Sequence, residues 1–389
     1  MVDPISSEFV GRFGISYKDG EIIYAYDEIT HGIYQLSLDF KEVTIVLPSM
    51  SIHQNMGERI IGISKYGSVI ILIPLFLNSK WIFFDLEKKI IKYYSPIKAK
   101  IRISAVITLG TNLFLIPACT CSPIIIFSIE NMKRIKTYDK WYIPKIDTMN
   151  NQSFIWGAFL CGKSVVFPII DTNQICYFDI ERINIITLNI MCSIASVSVA
   201  EDKIWVLPKL GECIYKVNLN GEVIDKIKMT ESKFGMSENN FNKIIALEEI
   251  VFLLPTYGNI IYAYLKRENR FVKIEPKEDP LWGGIFLCNV TPYWDFIVKK
   301  KKIYLLPSNY RCKCIDLNSL DCTNYSLKYG NNFDKDLYWE MIGYIQKYNI
   351  LNEKDLYDFI SIIYYLREIN FVHKNEKIGE KIWESFMKK

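Results

Sequence analysis

An all-β fold of seven repeated four-stranded units, followed by a small helical segment, is predicted by two observations. Short apolar runs that usually end in Leu-Pro or Ile-Pro recur along the chain, as in "KIYLLPSNYRCKCIDL" from Lys302 to Leu317. Beyond residue 330 this pattern stops, and apolar residues recur at helical spacing. The sequence therefore predicts two parts, a repeated β domain over residues 1–330 and a helical segment over residues 331–389.

The repeat consists of four apolar strands, A to D, with a proline after strand B and a polar turn between strands C and D. Counted from Tyr26 in the first unit, the marker residues recur at intervals of 40 to 52 residues; the others are Pro74, Pro117, Pro168, Pro208, Pro255 and Pro307. Units of this length hold four short strands. Because proline has no N–H to donate to a sheet, we expect each proline to end strand B.

Strands A and D fix the boundaries of the units. Strand A is predicted at Arg59–Ser64, Ile103–Leu109, Ile155–Leu160 and Lys243–Leu247. With a first strand at Phe9–Ser16 and a last strand at Cys322–Leu327, every unit is contiguous, and no strand is exchanged where the ring closes. At the ends of strand C, we expect aspartate side chains to cap the C–D turns; they are Asp85, Asp179 and Asp316.

Strands B and C are continuous apolar runs rather than alternating ones, which indicates that both faces of each sheet are buried. Seven such sheets bury both faces when they stack radially around an axis. The predicted fold is therefore a seven-bladed β-propeller of four-stranded antiparallel blades.

Two segments resemble the third and fourth strands of kelch-type blades. They are "WIFFDLEKKIIKYY" (Trp81–Tyr94) and "ICYFDIERINIITL" (Ile175–Leu188), in which an aromatic strand ends in Asp before a short turn. The resemblance covers residues 8–328, and it implies a propeller similar in layout to galactose oxidase. Leu-Pro or Ile-Pro stands where kelch strands have Gly-Gly, and no copper ligand of that enzyme has a counterpart here.

Helical periodicity appears in Asp334–Asn349 and Glu353–Glu368, and Asn375 is a suitable N-cap for a third helix. These helices either pack on the propeller or present an apolar stripe to a partner. We favour packing, because short helices need a surface against which to bury their apolar side.

Composition and charge indicate which partners and which cellular location to expect. The 389 residues carry 47 Lys and Arg against 43 Asp and Glu, a net charge of +4 spread over the chain, so no nucleic-acid partner is predicted. The N-terminus lacks the features of a secretory signal, and no apolar run has the length of a membrane span. Ten scattered cysteines without CxxC are interpreted as reduced thiols. The expected location is cytoplasmic, without membrane attachment; the oligomeric state stays open.

Candidate ligand-binding residues come from the loops and from the entrances of the inner strands. Long D–A connections span Thr137–Phe154, Lys228–Asn242 and Glu275–Trp294, and Trp141 lies in the first of them. Guanidinium and indole groups suit a glycan or peptide ligand. The candidate site residues are Arg12, Arg59, Arg102, Trp156, Trp282 and Trp294.

No catalytic, metal or cofactor motif is present. The patterns GxGxxG, GxxxxGK[ST], GxSxG and HExxH do not occur. The CTC and CKC pairs are weak metal signals, so no metal and no cofactor is predicted.

The preferred hypothesis is a non-catalytic binding or scaffold propeller that recognises a protein, peptide or glycan at its loop face. The alternative is a propeller enzyme, a lyase, hydrolase or peptide- or sugar-modifying enzyme, with Arg12, Arg59 and Arg102 around a closed funnel and a carboxylate or His31 as base. Whether there is catalysis stays open at this point.

Overall fold

A computed structural model of the chain has the predicted all-β architecture, a seven-bladed β-propeller of four-stranded antiparallel blades. Consecutive strands of each blade are hydrogen-bonded neighbours. The structure describes residues 13–27, 30–37, 42–56, 59–142, 158–169, 172–209, 211–229, 241–255, 260–274, 293–307, 312–325, 328–330, 333–334, 336–338 and 340–341.

The strands are numbered in chain order, four to a blade. Blades 1 to 4 consist of β1 (Phe13–Asp19), β2 (Ile22–Asp27), β3 (Ile33–Ser37), β4 (Glu42–Leu47), β5 (Ile60–Tyr66), β6 (Val69–Pro74), β7 (Trp81–Asp85), β8 (Ile90–Tyr94), β9 (Ile103–Leu109), β10 (Asn112–Pro117), β11 (Ile124–Ser128), β12 (Lys133–Tyr138), β13 (Phe159–Cys161), β14 (Ser164–Ile169), β15 (Gln174–Phe178) and β16 (Ile183–Thr187). Blades 5 to 7 consist of β17 (Ile194–Ala200), β18 (Lys203–Pro208), β19 (Cys213–Val217), β20 (Val223–Lys228), β21 (Phe241–Ala246), β22 (Ile250–Pro255), β23 (Ile261–Leu265), β24 (Arg270–Ile274), β25 (Tyr293–Lys299), β26 (Lys302–Pro307), β27 (Cys312–Asp316) and β28 (Cys322–Tyr325).

The hydrophobic cores lie between blades rather than within them. One core joins Ile71 and Trp81 of blade 2 to Leu113 and Phe127 of blade 3, with the Trp81 and Phe127 rings 5.3 Å apart. Equivalent cores join the other consecutive pairs from blade 1 to blade 7. Strand B is buried on both faces; every residue of β14 and β22 is buried. Each blade therefore depends on its neighbours for burial of its apolar faces.

Five of the six marker prolines end strand B as predicted, and each of these ends coincides with a β-bulge. Pro74 pairs with Ile60 and Ile73 pairs with Gly62, so Ile61 is an extra residue on β5. Register shifts of the same kind accompany Pro117, Pro208, Pro255 and Pro307. A bulge bends the strand and interrupts the ladder, which suits a residue without an N–H.

Two marker positions differ from the prediction. In blade 1, Asp27 and not Tyr26 takes the proline's place, because Asp27 pairs with Phe13 in front of the register shift. In blade 4, Pro168 lies inside β14 and pairs with Ile175 of β15. Among the described residues β13 pairs only with the Ser164–Val166 part of β14, so Pro168 lies beyond that ladder.

Strand A also differs in detail. The β1 strand reaches Asp19 instead of stopping at Ser16, and residues 9–12 lie outside the described residues. The β13 strand covers Phe159–Cys161, while 155–157 are not described. Between blades 1 and 2 the chain forms a helix that the sequence analysis missed, α1 (Ser49–Met56).

The seam between blades 7 and 1 carries a strand that the sequence analysis did not expect. The four strands of each blade are contiguous, but β29 (Lys328–Tyr329) crosses the seam and pairs in parallel with β4 as a fifth strand of blade 1. Gly330 continues this contact by donating its N–H to the carbonyl of Val43 at 3.0 Å. The inner strands β1 and β25 are in contact, and Lys299 forms an ion pair with Glu21.

The chain after β29 begins a helix that packs on blade 1. Residues 336–338 and 340–341 are helical, and Tyr338 and Met341 are 1% and 0% exposed. A Cβ atom on Gly32 would lie 2.4 Å from Cε of Met341, so this glycine makes room for the methionine. The predicted helices at Glu353–Glu368 and from Asn375 lie outside the described residues. The domain division at residue 330 stays a prediction.

The three strand C aspartates cap their turns as predicted. Asp85 accepts hydrogen bonds from the N–H groups of Glu87 and Lys88 at 3.0 and 3.1 Å, and Asp179 and Asp316 repeat the arrangement. The amides lower the pKa of Asp85 and of Asp316. Burial acts to raise the pKa of Asp179, but its amide donors outweigh burial and the pKa is lowered. In blade 5, Asn218 caps the turn instead.

Replacing Asp85, Asp179 and Asp316 together by Asn should make stability less sensitive to acid. Their pKa values are lowered in the folded state. The stabilisation that these three carboxylates contribute is therefore fully present above their unfolded pKa of about 3.9, and it is lost as the pH falls through their folded pKa values. Asparagine keeps the capping oxygen, as Asn218 shows, and removes the titration. Urea unfolding from about pH 5 to about pH 3 should show a smaller loss of unfolding free energy in the variant.

The matched control is the triple Asn variant of Asp139, Asp225 and Asp321, whose carboxylates accept no hydrogen bond from a described residue. We expect the control to keep the acid dependence that the capping aspartates give the wild type. Equal acid dependence of the capping variant and wild type would contradict the linkage argument.

Met341→Ala should lower the free energy of unfolding by about 2–5 kcal/mol, because it leaves a cavity between the C-terminal helix and blade 1. The exposed neighbour Glu340 provides the control, since Glu340→Ala should change stability by about 0.5 kcal/mol or less. Chemical unfolding of the full chain measures both. Equal stabilities for the two variants would show that this helix does not stabilise the propeller.

Candidate functional site

The candidate site lies at the end of the blades where strand B stops. We name this end the proline-side face; in blades 2 and 3 it comprises Leu75–Lys80, Ser95–Arg102 and Ala118–Pro123. Strands A to D are consecutive antiparallel neighbours in each blade, so the B–C loops and D–A links that the structure describes lie at this end. Loops on a rigid scaffold are the usual place for function.

Arg59 and Arg102 occupy the same position in neighbouring blades. Each immediately precedes the residue that pairs with the blade proline, Ile60 in blade 2 and Ile103 in blade 3. The carbonyl oxygen of Arg59 accepts the N–H of Leu75, and that of Arg102 accepts the N–H of Ala118, both at 2.8 Å. The backbone of both arginines is therefore fixed at the face, while both side chains are exposed.

In the sequence, Arg12 precedes Phe13, the residue that pairs with Asp27 in blade 1. Arg12 itself lies outside the described residues. A common place on the face for Arg12 with Arg59 and Arg102 therefore stays a prediction.

Three lysines extend the positive charge around the described arginines. Lys80, Lys98 and Lys100 are exposed on the same face of blade 2, and Leu75–Lys80 and Ser95–Arg102 contain no acidic residue. We name the five cations the basic arc; they are Arg59, Lys80, Lys98, Lys100 and Arg102. The sequence analysis missed the lysines, although the run "IKAKIR" without an acidic residue carried the signal.

Four of the five cations of the basic arc form no ion pair with a described residue. None of the ion pairs within the described part of the chain involves Lys80, Lys98, Lys100 or Arg102. Lys100 lies over the Phe76 ring with Nζ 5.7 Å from the centroid, and Phe76 forms an isolated β-bridge with Arg102. The aromatic ring thus supports Lys100 without neutralising it, and the backbone bridge fixes the main chain of Arg102 beside it.

The tryptophans of the predicted binding loops do not form a described aromatic site. Trp141 is 7% exposed; its Nε1 donates to the carbonyl of Ser122 at 2.8 Å, and its ring meets Phe167 edge-on at 5.7 Å. The expectation that Trp141 lines an open binding surface is therefore wrong, because burial against blade 4 uses both the ring and the N–H. Trp156 and Trp282 lie outside the described residues.

Trp294 is described by its backbone alone. It is the residue skipped by the register shift between Tyr293 and Asp295 of β25, so it occupies the bulge of blade 7. Asn242 has the same place in blade 6. Bulges redirect side chains and are common near functional sites.

Blade 1 replaces the proline with a buried polar cluster. The carboxylate of Asp27 accepts the N–H and the hydroxyl of Thr30 at 2.9 and 2.6 Å. Since that hydroxyl proton is used, Tyr34 donates its own hydroxyl to Thr30 at 2.7 Å. The hydroxyl of Tyr26 is hydrogen-bonded to Nδ1 of His31. Asp27 and Thr30 are both 0% exposed.

This cluster has a structural role. The contact of Met341 with Gly32 covers the turn that carries His31, and Nε2 of His31 is buried. A base must reach the proton that it abstracts. The position of His31 therefore does not suit the role of base that the enzyme hypothesis gave it.

The enzyme hypothesis also needs a buried arginine cluster. Arg59 and Arg102 are exposed instead, so they do not enclose an anion in a closed pocket. Among the described residues, no three His, Cys, Asp or Glu side chains are close enough to hold a metal ion.

Comparisons with known proteins identify the class. No protein-family description and no curated protein sequence matches the chain. A streptogramin B lyase structure matches with a TM-score of 0.54 and 11% identity over 79% of this chain and 93% of the lyase. The computationally designed Ika8 protein matches with a TM-score of 0.52 and 8% identity over 84% of this chain and 92% of Ika8.

A third similar structure is PorZ of Porphyromonas gingivalis, a surface component of a type-IX secretion system. It matches with a TM-score of 0.51 and 11% identity over 84% of this chain and 39% of PorZ. At such identities these likenesses concern the fold alone. Together with the seven sheets they define the class of the protein as a seven-bladed β-propeller.

Within the described part of the chain, no helix has the length and apolarity needed to cross a membrane.

Trp141→Ala should destabilise the protein by about 3–5 kcal/mol, because it removes a buried ring from the core between blades 3 and 4. Trp141→Phe should cost less, since it keeps a ring and loses only the hydrogen bond to Ser122. Urea unfolding of both variants measures this order. An Ala variant as stable as wild type would contradict the burial of Trp141 in this core.

Proposed function

We propose that the protein is a non-catalytic binding or scaffold propeller that recognises an anionic group of a protein, peptide or glycan at its proline-side face. The basic arc carries this proposal. Its cations are exposed, lie on one face of blades 2 and 3, and have fixed backbones at the two arginines.

An anionic ligand suits this face because most of its cations have no ion-pair partner among the described residues. Arginine presents paired donors that match a carboxylate, phosphate or sulfate, and lysine adds a mobile point charge. Four of the five cations form no ion pair with a described residue, so a ligand does not have to displace an internal partner. Phe76 beside Lys100 adds an apolar contact to the charged groups.

A rigid scaffold favours affinity, because little order has to be gained when the ligand binds. The inner strands hold the arginine backbones by hydrogen bonds that cross from strand A to the loop after strand B. Trp294, whose backbone lies in the bulge of blade 7, and Arg12, Trp156 and Trp282 remain proposed members of the same binding face.

The proposal also includes the expected partners, cellular location and type of repeat. A net charge of +4 without a long basic stripe favours neither nucleic acid nor a membrane as partner. Eight described cysteines are free thiols, which favours the cytoplasm. A relationship to kelch-type blades stays a prediction from the aromatic strands that end in Asp.

An array of acidic peptides, phosphopeptides and sulfated or sialylated glycans tests this function. We expect wild type to bind one of these classes, and Arg59→Ala/Arg102→Ala to weaken binding about tenfold or more, since each charge-assisted contact contributes about 1.5–3 kcal/mol. The peptide and glycan arms distinguish the two sources of the anion. Raising the salt concentration should weaken binding as well.

The matched control is Lys133→Ala/Arg134→Ala, which removes the same charge from exposed positions at the start of β12, away from the proline-side face. This variant should keep wild-type affinity. Equal losses in the two double variants, or no binding by wild type to any arm, would contradict the proposal.

A further inference from the structure

The B–C loop of blade 3 brings two thiols into contact. Cys119 and Cys121 have their Sγ atoms 2.9 Å apart, and Oγ of Ser122 lies 3.3 Å from Sγ of Cys119. Cys121 is exposed and Cys119 is half-buried. A solvent-accessible sulfur is thus paired with a second one that is partly shielded.

Hydrogen bonds fix the loop around the thiols. The N–H of Ser122 donates to the carbonyl of Cys119 at 3.2 Å, which closes a turn around the pair. Trp141 donates to the carbonyl of Ser122 at 2.8 Å, and the N–H of Ala118 donates to the carbonyl of Arg102 at 2.8 Å. The contact between the sulfurs is therefore part of an ordered loop.

The two sulfurs differ in their chemistry. Burial acts to raise the pKa of Cys119, but the Cys121 thiol, the Ser122 hydroxyl and the amides of both residues outweigh burial, so this pKa is lowered. The hydrogen bond to Cys119 raises the pKa of Cys121. By contrast, burial raises the pKa values of Cys161, Cys176 and Cys322. Thiolate character and exposure are what make a cysteine reactive.

We propose that Cys119 and Cys121 form a redox-active dithiol that reacts with small-molecule disulfides such as oxidised glutathione, with Cys119 as attacking thiolate and Cys121 as resolving thiol. The inference rests on the contact of the sulfurs and the exposure of Cys121, and the roles rest on the Ser122 hydroxyl, which lies beside Sγ of Cys119 and can donate to a thiolate there. It does not depend on the proposed anionic ligand.

The reaction has two exchange steps. The Cys119 thiolate attacks one sulfur of the small disulfide, the disulfide bond breaks, and one thiolate leaves and takes a proton from water. Cys121 then loses its proton to water and attacks Cys119 in the mixed disulfide, which releases the second small thiol. Two protein thiols are oxidised to one disulfide, and one small disulfide is reduced to two thiols.

Formation of the Cys119–Cys121 disulfide requires little movement of the two sulfur atoms. The sulfurs are 2.9 Å apart and a disulfide bond measures about 2.0 Å, so they approach by about 0.9 Å. Since the turn already places both residues on one loop, the step does not require two blades to move.

Oxidised glutathione at neutral pH is the probe, added to the reduced full-length protein. Alkylation of the remaining thiols followed by peptide mapping should show that wild type loses two thiols, both in the peptide containing Cys119 and Cys121. Excess dithiothreitol should restore them. The peptide map of wild type therefore shows, without any variant, whether the two loop thiols are oxidised together.

Serine variants assign the roles. Cys121→Ser keeps a hydroxyl donor beside Cys119 and should trap one glutathione per chain. Cys119→Ser should form its adduct about tenfold more slowly, because Cys121 is the less acidic thiol. The rate in Cys121→Ser should rise with pH around a midpoint below the ordinary thiol value of about 8.5.

Cys192→Ser is the control, since Cys192 is a half-buried thiol in another loop; it should behave as wild type. Loss of thiols elsewhere, retention of both loop thiols by wild type, or equal rates in the two loop variants would overturn the proposal.

Discussion

The need of every blade to bury two apolar faces is the constraint on which the structure depends. Core residues of one blade pack on those of the next, as Trp81 packs on Phe127 and Phe114 on Phe178. A single four-stranded sheet has no second layer of its own. Burial is therefore shared around the ring, and each blade is stable because its neighbours are present. Close approach of inner strands follows, as at Gly62, where a Cβ would lie 2.4 Å from Val106.

Such a ring is weakest where the chain ends meet, and this chain strengthens that seam without exchanging a strand within the four-stranded blades. The β29 strand extends blade 1, the following helix places Met341 against Gly32 of that blade, and Lys299 at the end of β25 pairs with Glu21 in the turn after β1. Met341 thereby lies against Gly32, in the same turn as the buried Asp27 and Thr30.

The proline-side face combines a rigid backbone with exposed cationic side chains. The same bulge that lets proline end strand B sets the position of Arg59 and Arg102, so the scaffold and the basic arc have one structural cause. The dithiol loop begins beside Arg102, at the hydrogen bond from Ala118. Charge recognition and thiol chemistry are therefore proposed for adjacent loops of blades 2 and 3.

Local chemistry explains why much of the fold was predictable from sequence. Prolines without an N–H mark the ends of strand B, continuous apolar runs indicate burial on both faces, and Asp85, Asp179 and Asp316 cap turns over two or three residues. These effects act within a few residues of the chain, so the repeat shows them. The arginine positions were predictable for the same reason, because they stand at a fixed distance from the repeat.

By itself the sequence determined the number of blades, their strands and the position of Arg59 and Arg102. Only the tertiary structure decided that Trp141 is buried, that Nε2 of His31 is buried, that β29 pairs across the seam, and that Cys119 meets Cys121 in a loop held by Trp141. These outcomes depend on which surface a distant segment covers. Periodicity records whether a face is buried, but it does not record which residue buries it.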